Sequence, residues 1–86
     1  MHLRWTTVGI DGQPVSLTRT EFDLLYQLLS HRNHVLTRQQ LMDTVWPDVI
    51  VTDRTINVNS TRLRKKLGLY AQNIVSRPGL GYVFEG

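Results

Sequence analysis

The sequence contains no cysteine, only three prolines and no long apolar run. The lack of cysteine excludes disulfides, thiolate metal ligands and cysteine nucleophiles. The apolar runs are a few residues long, far short of the ~20 that a membrane-spanning helix needs. The opening stretch MHLRWTTVGI does not form a charged-then-apolar signal peptide. These absences favour a cytoplasmic protein that does not contact a membrane.

Acidic residues are also few, and they are fewest where the basic residues concentrate. Seven Asp+Glu stand against ten Lys+Arg in 86 residues, with a net charge of +3 and a pI near 9.8. From Asp53 onward only that residue and Glu85 are acidic, whereas six are basic: Arg54, Arg62, Arg64, Lys65, Lys66 and Arg77. Positive charge in the C-terminal third indicates a nucleic-acid partner.

No constellation of side chains points to catalysis or to a metal. His31 and His34 lack further ligands at useful spacing, so we interpret them as exposed loop histidines. The carboxylates are scattered, and no nucleophile–base pair is found. Gly79-Leu80-Gly81 precedes no helix that would receive a phosphate. We therefore expect no metal, no cofactor and no enzymatic activity.

The chain length allows a single domain over residues 1–86, and its first part predicts strands. Residues 3–17 alternate around Asp11-Gly12, a dipeptide typical of hairpin turns. Pro14 then has to lie at the start or on the edge of its strand. Trp5 and Tyr70 are interpreted as packing residues.

Three helices are predicted after these strands. Thr18 and Glu21 form a capping box that starts a helix at about Arg19–Ser30, with Leu17 and Phe22 as a hydrophobic staple. Its apolar stripe comprises Phe22, Leu25, Leu28 and Leu29, widened by Leu24 and Tyr26. Thr37 and Gln40 form a second box, stapled by Leu36 and Leu41. That helix has Leu41, Met42 and Val45 inside and ends at Trp46-Pro47.

The third helix is predicted from Asp53, a suitable cap, to Leu67, with Gly68 as its stop. Its core stripe holds Ile56, Ser60, Leu63 and Leu67, and the other faces carry amides, hydroxyls, Val58 and arginines. Arginine can bind guanine, asparagine can read adenine, and valine can touch the thymine methyl. The alternative is that Arg64, Lys65 and Lys66 only stabilise the helix dipole.

The C-terminal part predicts a hairpin, with strands at 73–76 and 81–85 joined by Arg77-Pro78-Gly79-Leu80. A basic helix followed by a hairpin with an arginine near its tip can contact two adjacent grooves. This order of elements gives an α+β fold of the winged helix-turn-helix type. It has a three-helix core, N-terminal antiparallel strands and a C-terminal β-hairpin wing.

Three segments resemble the DNA-binding effector domain of response regulators of the OmpR/PhoB family. They are LTRTEFDLLYQLLSHRNHVLTRQQLMDTVW, DRTINVNSTRLRKKLG and RPGLGYVFE, and the resemblance covers about residues 10–86. It implies a four-stranded N-terminal sheet and a recognition helix at 53–67. The bases would be faced by Thr55, Asn57, Val58 and Arg62. The phosphates would be contacted by Arg38, Trp46, Arg54, Asn59, Thr61, Arg64 and Tyr82.

The resemblance also implies partners. It predicts sequence-specific binding of double-stranded DNA that regulates transcription, with a second copy on a tandem half-site. Residues 47–52 would meet RNA polymerase, and they exceed the tight turn of a simple helix-turn-helix. A sensor kinase would act only through an N-terminal receiver domain, which we expect to be missing here, with Met1 an artificial start.

Three positions depart from the family pattern. Asn59 replaces a usual histidine, which makes any phosphate contact there neutral. Ser60 replaces a large aliphatic residue on the core stripe, so its hydroxyl needs a partner, for which we expect the carbonyl of Ile56. Pro78 stands where many members have the wing arginine, and Arg77 is the candidate substitute.

Two alternatives stay open at this point. Trp46 and Tyr82 are either core aromatics or residues with a buried ring and a polar tip towards a phosphate. The rival function is a winged-helix protein-interaction module that binds an acidic partner.

Overall fold

Three helices lie between two sets of strands in a computed structural model, which describes residues 2–4, 7–10 and 12–86. Met1, Trp5 and Asp11, which the sequence analysis interpreted, lie outside the described residues. The strands are β1 (His2–Arg4), β2 (Thr7–Ile10), β3 (Gln13–Ser16), β4 (Leu36–Thr37), β5 (Ile74–Arg77) and β6 (Gly81–Phe84). The helices are α1 (Arg19–Ser30), α2 (Arg38–Val45) and α3 (Asp53–Leu67). The predicted fold class is confirmed.

The N-terminal sheet is antiparallel, in the order β1-β2-β3. Ile10 pairs with Gln13, so β2 and β3 form a hairpin as predicted, and Gly12 has a positive φ of +81°, which is typical of hairpin turns. Pro14 lies in β3, an edge strand, which confirms its expected place. The family resemblance implied four strands in this sheet. That expectation is wrong for the described residues, which form three strands in it.

The predicted bounds of α1 are confirmed to the residue. Its capping box forms as expected, because the Glu21 backbone NH donates to Thr18 Oγ1 at 3.1 Å and the Thr18 NH donates to Glu21 Oε1 at 2.9 Å. Tyr26 was wrongly placed on the apolar stripe. Its side chain is 51% exposed and its ring stacks on Phe22 at the helix surface.

The helix α2 also begins at its predicted capping box. The Gln40 NH donates to Thr37 Oγ1 at 3.0 Å, and the Thr37 NH donates to Gln40 Oε1 at 2.8 Å. The helix ends at Val45, and Trp46 caps its C-terminus before Pro47, as predicted. A loop of seven residues, 46–52, therefore separates α2 from α3.

The start of α3 differs from the prediction by one residue. Thr52 is the N-cap, without a capping hydrogen bond from its side chain, and Asp53 is the first helical residue instead of the cap. An acid there still interacts favourably with the helix dipole. Gly68 ends α3 with φ +59°, as predicted, and the connection that follows is a 3-10 helix, Gly68–Asn73.

The predicted core stripe of α3 is confirmed, since all four of its residues are buried. Ser60 is 2% exposed, yet among the described residues its Oγ has no hydrogen-bond partner. The expected bond to the Ile56 carbonyl is therefore absent. The surrounding core is aliphatic: Leu24, Leu25, Leu28, Leu41, Ile56, Leu63, Leu67 and Ile74 are each at most 1% exposed. Tyr70 packs against this core as predicted.

An ion pair between an exposed lysine and a buried glutamate ties α3 to the N-terminus of α1. Lys66 Nζ lies 2.6 Å from Glu21 Oε1, and the Glu21 side chain is only 2% exposed. Burial alone would raise the pKa of Glu21. The hydrogen bond from Lys66, those from Thr18 and the positive charge of Lys66 more than offset it, so the pKa lies below its ordinary value.

The predicted C-terminal hairpin pairs β5 with β6, and β4 adds a third strand in the order β4-β6-β5. The strand β4 was not predicted. It pairs Leu36 with Tyr82 and Thr37 with Gly81. Gly81 is required here, because a Cβ would lie 1.9 Å from the Leu36 carbonyl oxygen. This pairing holds the hairpin against the helices.

The described part of the chain contains neither a membrane-spanning helix nor a candidate metal cluster. Neither α1, α2 nor α3 is long and apolar enough to cross a membrane. No group of three or more His, Asp or Glu side chains that could hold a metal is found there. His31 and His34 are exposed, as predicted.

Candidate nucleic-acid interface

The outward face of α3 forms one shallow groove on the protein surface. Its lining residues recur at helical spacing and include three cations and no acid: Arg54, Asn57, Val58, Thr61, Arg62 and Lys65. All six are exposed, since the core stripe of α3 lies on the opposite side. We call this set the α3 groove.

The α3 groove brings together most of the residues predicted to face bases. Asn57, Val58 and Arg62 lie in it, while Thr55, predicted with them, does not line the groove and is half-buried. Thr61, predicted to contact a phosphate, lies in the groove. The geometry therefore groups Thr61 with Arg62.

Lys65 was left out of the predicted site, although the sequence carried a signal for it. It follows Arg62 by three residues and Val58 by seven, which places all three on one face of a helix. The alternative in which the cations of the last turn only stabilise the helix dipole included Lys65.

Two other predicted phosphate contacts have polar atoms already engaged within the domain. Asn59 Nδ2 donates to the Thr55 carbonyl at 2.9 Å, and Arg64 Nε donates to the Ala71 carbonyl at 3.5 Å. Both side chains are half-buried beside the groove. Their predicted contacts with phosphate remain predictions.

Arg38, Trp46 and Tyr82 flank α3 from α2 and β6. The Arg38 guanidinium carbon lies 5.4 Å from the centre of the Tyr82 ring, and Arg38 Nε is 3.7 Å from Asp53 Oδ1. The Tyr82 side chain is buried, and its hydroxyl donates to Asn57 Oδ1. Trp46 is half-buried against the core. Both aromatic residues thus have core roles.

The wing presents Arg77 before an exposed tip, Pro78-Gly79-Leu80. The Arg77 guanidinium pairs with the Glu85 carboxylate, and both side chains are about half exposed (47% and 45%). Gly79 has φ +76°, which lets the strands reverse within the tip. The wing cation is therefore already paired within the domain.

A basic exposed helix on a three-helix core, followed by a β-hairpin that packs beside it, defines a winged helix-turn-helix domain. A family model described as "Transcriptional regulatory protein, C terminal" matches residues 12–84. The chain belongs to this family, and its relatives include response regulators of the OmpR/PhoB class.

Curated relatives and solved structures agree with this assignment. The chain is 43% identical over 79 residues to the response regulator ArlR of Staphylococcus saprophyticus, covering 88% of this chain and 36% of that protein. It is 43% identical over 80 residues to the phosphate regulon regulator PhoB of Pseudomonas aeruginosa, covering 91% and 35%. It thus spans about a third of the length of these relatives.

The RstA DNA-binding domain of Klebsiella pneumoniae, solved in complex with the RstA box, is similar in structure. The TM-score is 0.79 at 31% identity, over 92% of this chain and 82% of that one.

Proposed function

We propose that this domain reads a specific duplex DNA sequence by placing α3 in the major groove, and that this binding regulates transcription. The observation that carries the proposal is the α3 groove, where three cations, an amide, a hydroxyl and an apolar side chain share one exposed face without an acid. A major groove admits a helix and offers matching groups to these side chains.

Arg62 is the proposed centre of base recognition. It lies in the α3 groove beside Val58 and opposite the buried stripe, so it can reach a guanine edge while α3 stays packed. Arginine binds guanine O6 and N7 through two parallel hydrogen bonds. Asn57 and Val58 complete the reading strip, with Thr55 at its margin.

The phosphates are proposed to lie along the margins of this strip. Arg54 and Thr61 project from α3, Arg38 is the first residue of α2 and Trp46 follows its last. Asn59 and Arg64 are half-buried beside the α3 groove. Such contacts set the register and orientation of a protein on DNA without reading sequence. Arg77 of the wing would break its ion pair with Glu85 and contact the DNA backbone or the minor groove instead.

The longer protein is proposed to be a two-component response regulator, of which this chain is the output domain. Its receiver domain would receive the signal from a sensor kinase, and two copies of the output domain would occupy tandem half-sites. The loop 47–52, whose Ile50 side chain is fully exposed, would meet RNA polymerase. We place the protein in the cytoplasm and assign it no enzymatic activity and no cofactor.

The test is a salt titration with two duplexes. One is selected from a random pool by binding to this domain, and the other is the same duplex scrambled. With about five to seven phosphates neutralised, log K against log[salt] should slope by about −4 to −6. The selected duplex should bind more tightly at every salt concentration.

The rival, an interaction module for an acidic protein, predicts a different result. Both duplexes would then bind equally, and an acidic polypeptide such as polyglutamate would compete with them at similar charge concentration. A slope near zero on both duplexes, or equal affinity for the two, would contradict the proposed function.

A further inference from the structure

The hydrogen bond between Tyr82 and Asn57 joins the wing to the recognition helix. Tyr82 is the second residue of β6, and its side chain is only 4% exposed. Its hydroxyl, which the family resemblance directs to a phosphate, instead donates to Asn57 Oδ1. Asn57 is exposed and lines the α3 groove.

This bond constrains what Asn57 presents to a ligand. An asparagine amide carries one acceptor and one NH2 donor group, and it can rotate to present either of them. Here Oδ1 is held on the protein side by the hydroxyl, while Nδ2 has no acceptor within the described residues. The amide therefore offers donors to the groove.

The position of the hydroxyl is itself fixed by neighbouring elements. Tyr82 pairs with Leu36 of β4 on one side and with Ser76 of β5 on the other. The Arg38 guanidinium lies over the face of its ring. A cation above the ring and strands on both sides leave the phenol little freedom to turn away from α3.

From this arrangement we propose that Tyr82 is a positioning residue for sequence recognition, which makes Asn57 a reader of base acceptors alone. An unheld asparagine recognises adenine through both Oδ1 and Nδ2. The held Asn57 donates to purine N7, guanine O6 or thymine O4, and it disfavours cytosine, which presents only its N4 amino donor in the major groove. The proposal rests on the proposed function and adds a specificity to the same site.

The test compares Tyr82→Phe, Asn57→Ala and the double variant with the unaltered domain. Each is titrated against the selected duplex and against duplexes that carry every other base pair at one position at a time. Tyr82→Phe should reduce discrimination at one base pair by about threefold to tenfold, the size of one neutral hydrogen bond. It should leave discrimination at the other positions unchanged.

The double variant separates positioning from direct contact. If Tyr82 acts through Asn57, Tyr82→Phe should have no further effect on discrimination in the Asn57→Ala background. Asn57→Asp is the complementary variant: one oxygen accepts from Tyr82 and the other faces the groove as an acceptor. The preferred base at the same position should then change to cytosine, which presents only an amino donor in the major groove.

The outcomes distinguish the two proposals. If the unaltered domain does not prefer the selected duplex, the proposed function fails and this inference fails with it. If it does, but Tyr82→Phe weakens all duplexes equally and does so also in the Asn57→Ala background, Tyr82 contacts a phosphate. That result would overturn the positioning role alone. Unfolding midpoints of all variants confirm that each domain is folded during the titrations.

Discussion

The two long faces of α3 differ in burial and in the use of their polar groups. The inner face holds Ile56, Leu63 and Leu67, each fully buried, and one serine without a partner. The outer face is the α3 groove, whose cations are exposed. Along this helix, side chains that stabilise the fold and side chains available to a ligand therefore lie on opposite sides, so stability and recognition can be changed separately.

The largest expected effect comes from the inner face. Leu63 is fully buried, so Leu63→Ala removes its packing and leaves a cavity, which should lower the free energy of unfolding by about 2–5 kcal/mol. Urea unfolding measures this loss. Thr61→Ala, on the outer face, is the matched control and should change stability by less than about 0.5 kcal/mol. Equal losses in the two variants would contradict the assignment of the faces.

The ion pair between Lys66 of α3 and Glu21 of α1 makes the stability of the domain depend on pH. The pKa of Glu21 is lowered in the folded domain, so its contribution to stability is present above the ordinary carboxylate pKa and is lost as pH falls through the lowered value. Glu21→Gln should weaken the bond to Lys66 and lower stability at neutral pH by about 1–3 kcal/mol. It should also flatten the acid dependence of urea unfolding.

Gln40 supplies an internal control for this prediction. It closes the second capping box with an amide oxygen, so Glu21→Gln should keep the cap itself and lose only the charge. Unchanged acid unfolding in Glu21→Gln would mean that the ion pair between Glu21 and Lys66 does not contribute to the stability of the domain.

Arg62 lies on the outer face and is exposed, whereas Arg64 is half-buried beside that face. Arg62→Ala should remove about 1–3 kcal/mol of discrimination between selected and scrambled duplexes, because a bidentate contact to guanine is lost. Arg64→Ala should weaken binding to both duplexes and reduce the salt slope by about one. Titration of each variant with both duplexes checks this. An equal loss on both duplexes in Arg62→Ala would move Arg62 to the phosphates.

The smallest expected effect is at the polar position of the inner face. Ser60 Oγ is buried without a hydrogen-bond partner in the described part of the chain, so Ser60→Ala should raise the free energy of unfolding by about 1 kcal/mol. Ser60→Ile should add stability only if a void is present, because overpacking costs about 1–3 kcal/mol. Thermal melts compare the variants. A stable Ser60→Asp variant would show that the side chain is not buried.

Much of the site could be predicted because its signals are local. Helical spacing placed the α3 stripe inside, and this in turn placed Asn57, Val58 and Arg62 outside. Lys65 follows from the same spacing. Contacts between distant segments gave no such signal. No sequence pattern predicts the hydrogen bond between Tyr82 and Asn57, because 25 residues separate them.

The sequence by itself determined where the helices begin and end and which side of each is buried. The capping boxes, Gly68 and the proline after Trp46 each act on the backbone within a few residues. Neighbouring positions in the sequence are therefore enough to predict their effect. Only the tertiary structure decided the β4–β6 pairing, the ion pair from Lys66 to Glu21 and the bond that holds the Asn57 amide. These depend on how separate elements approach in space, where close packing fixes partners that no local pattern specifies.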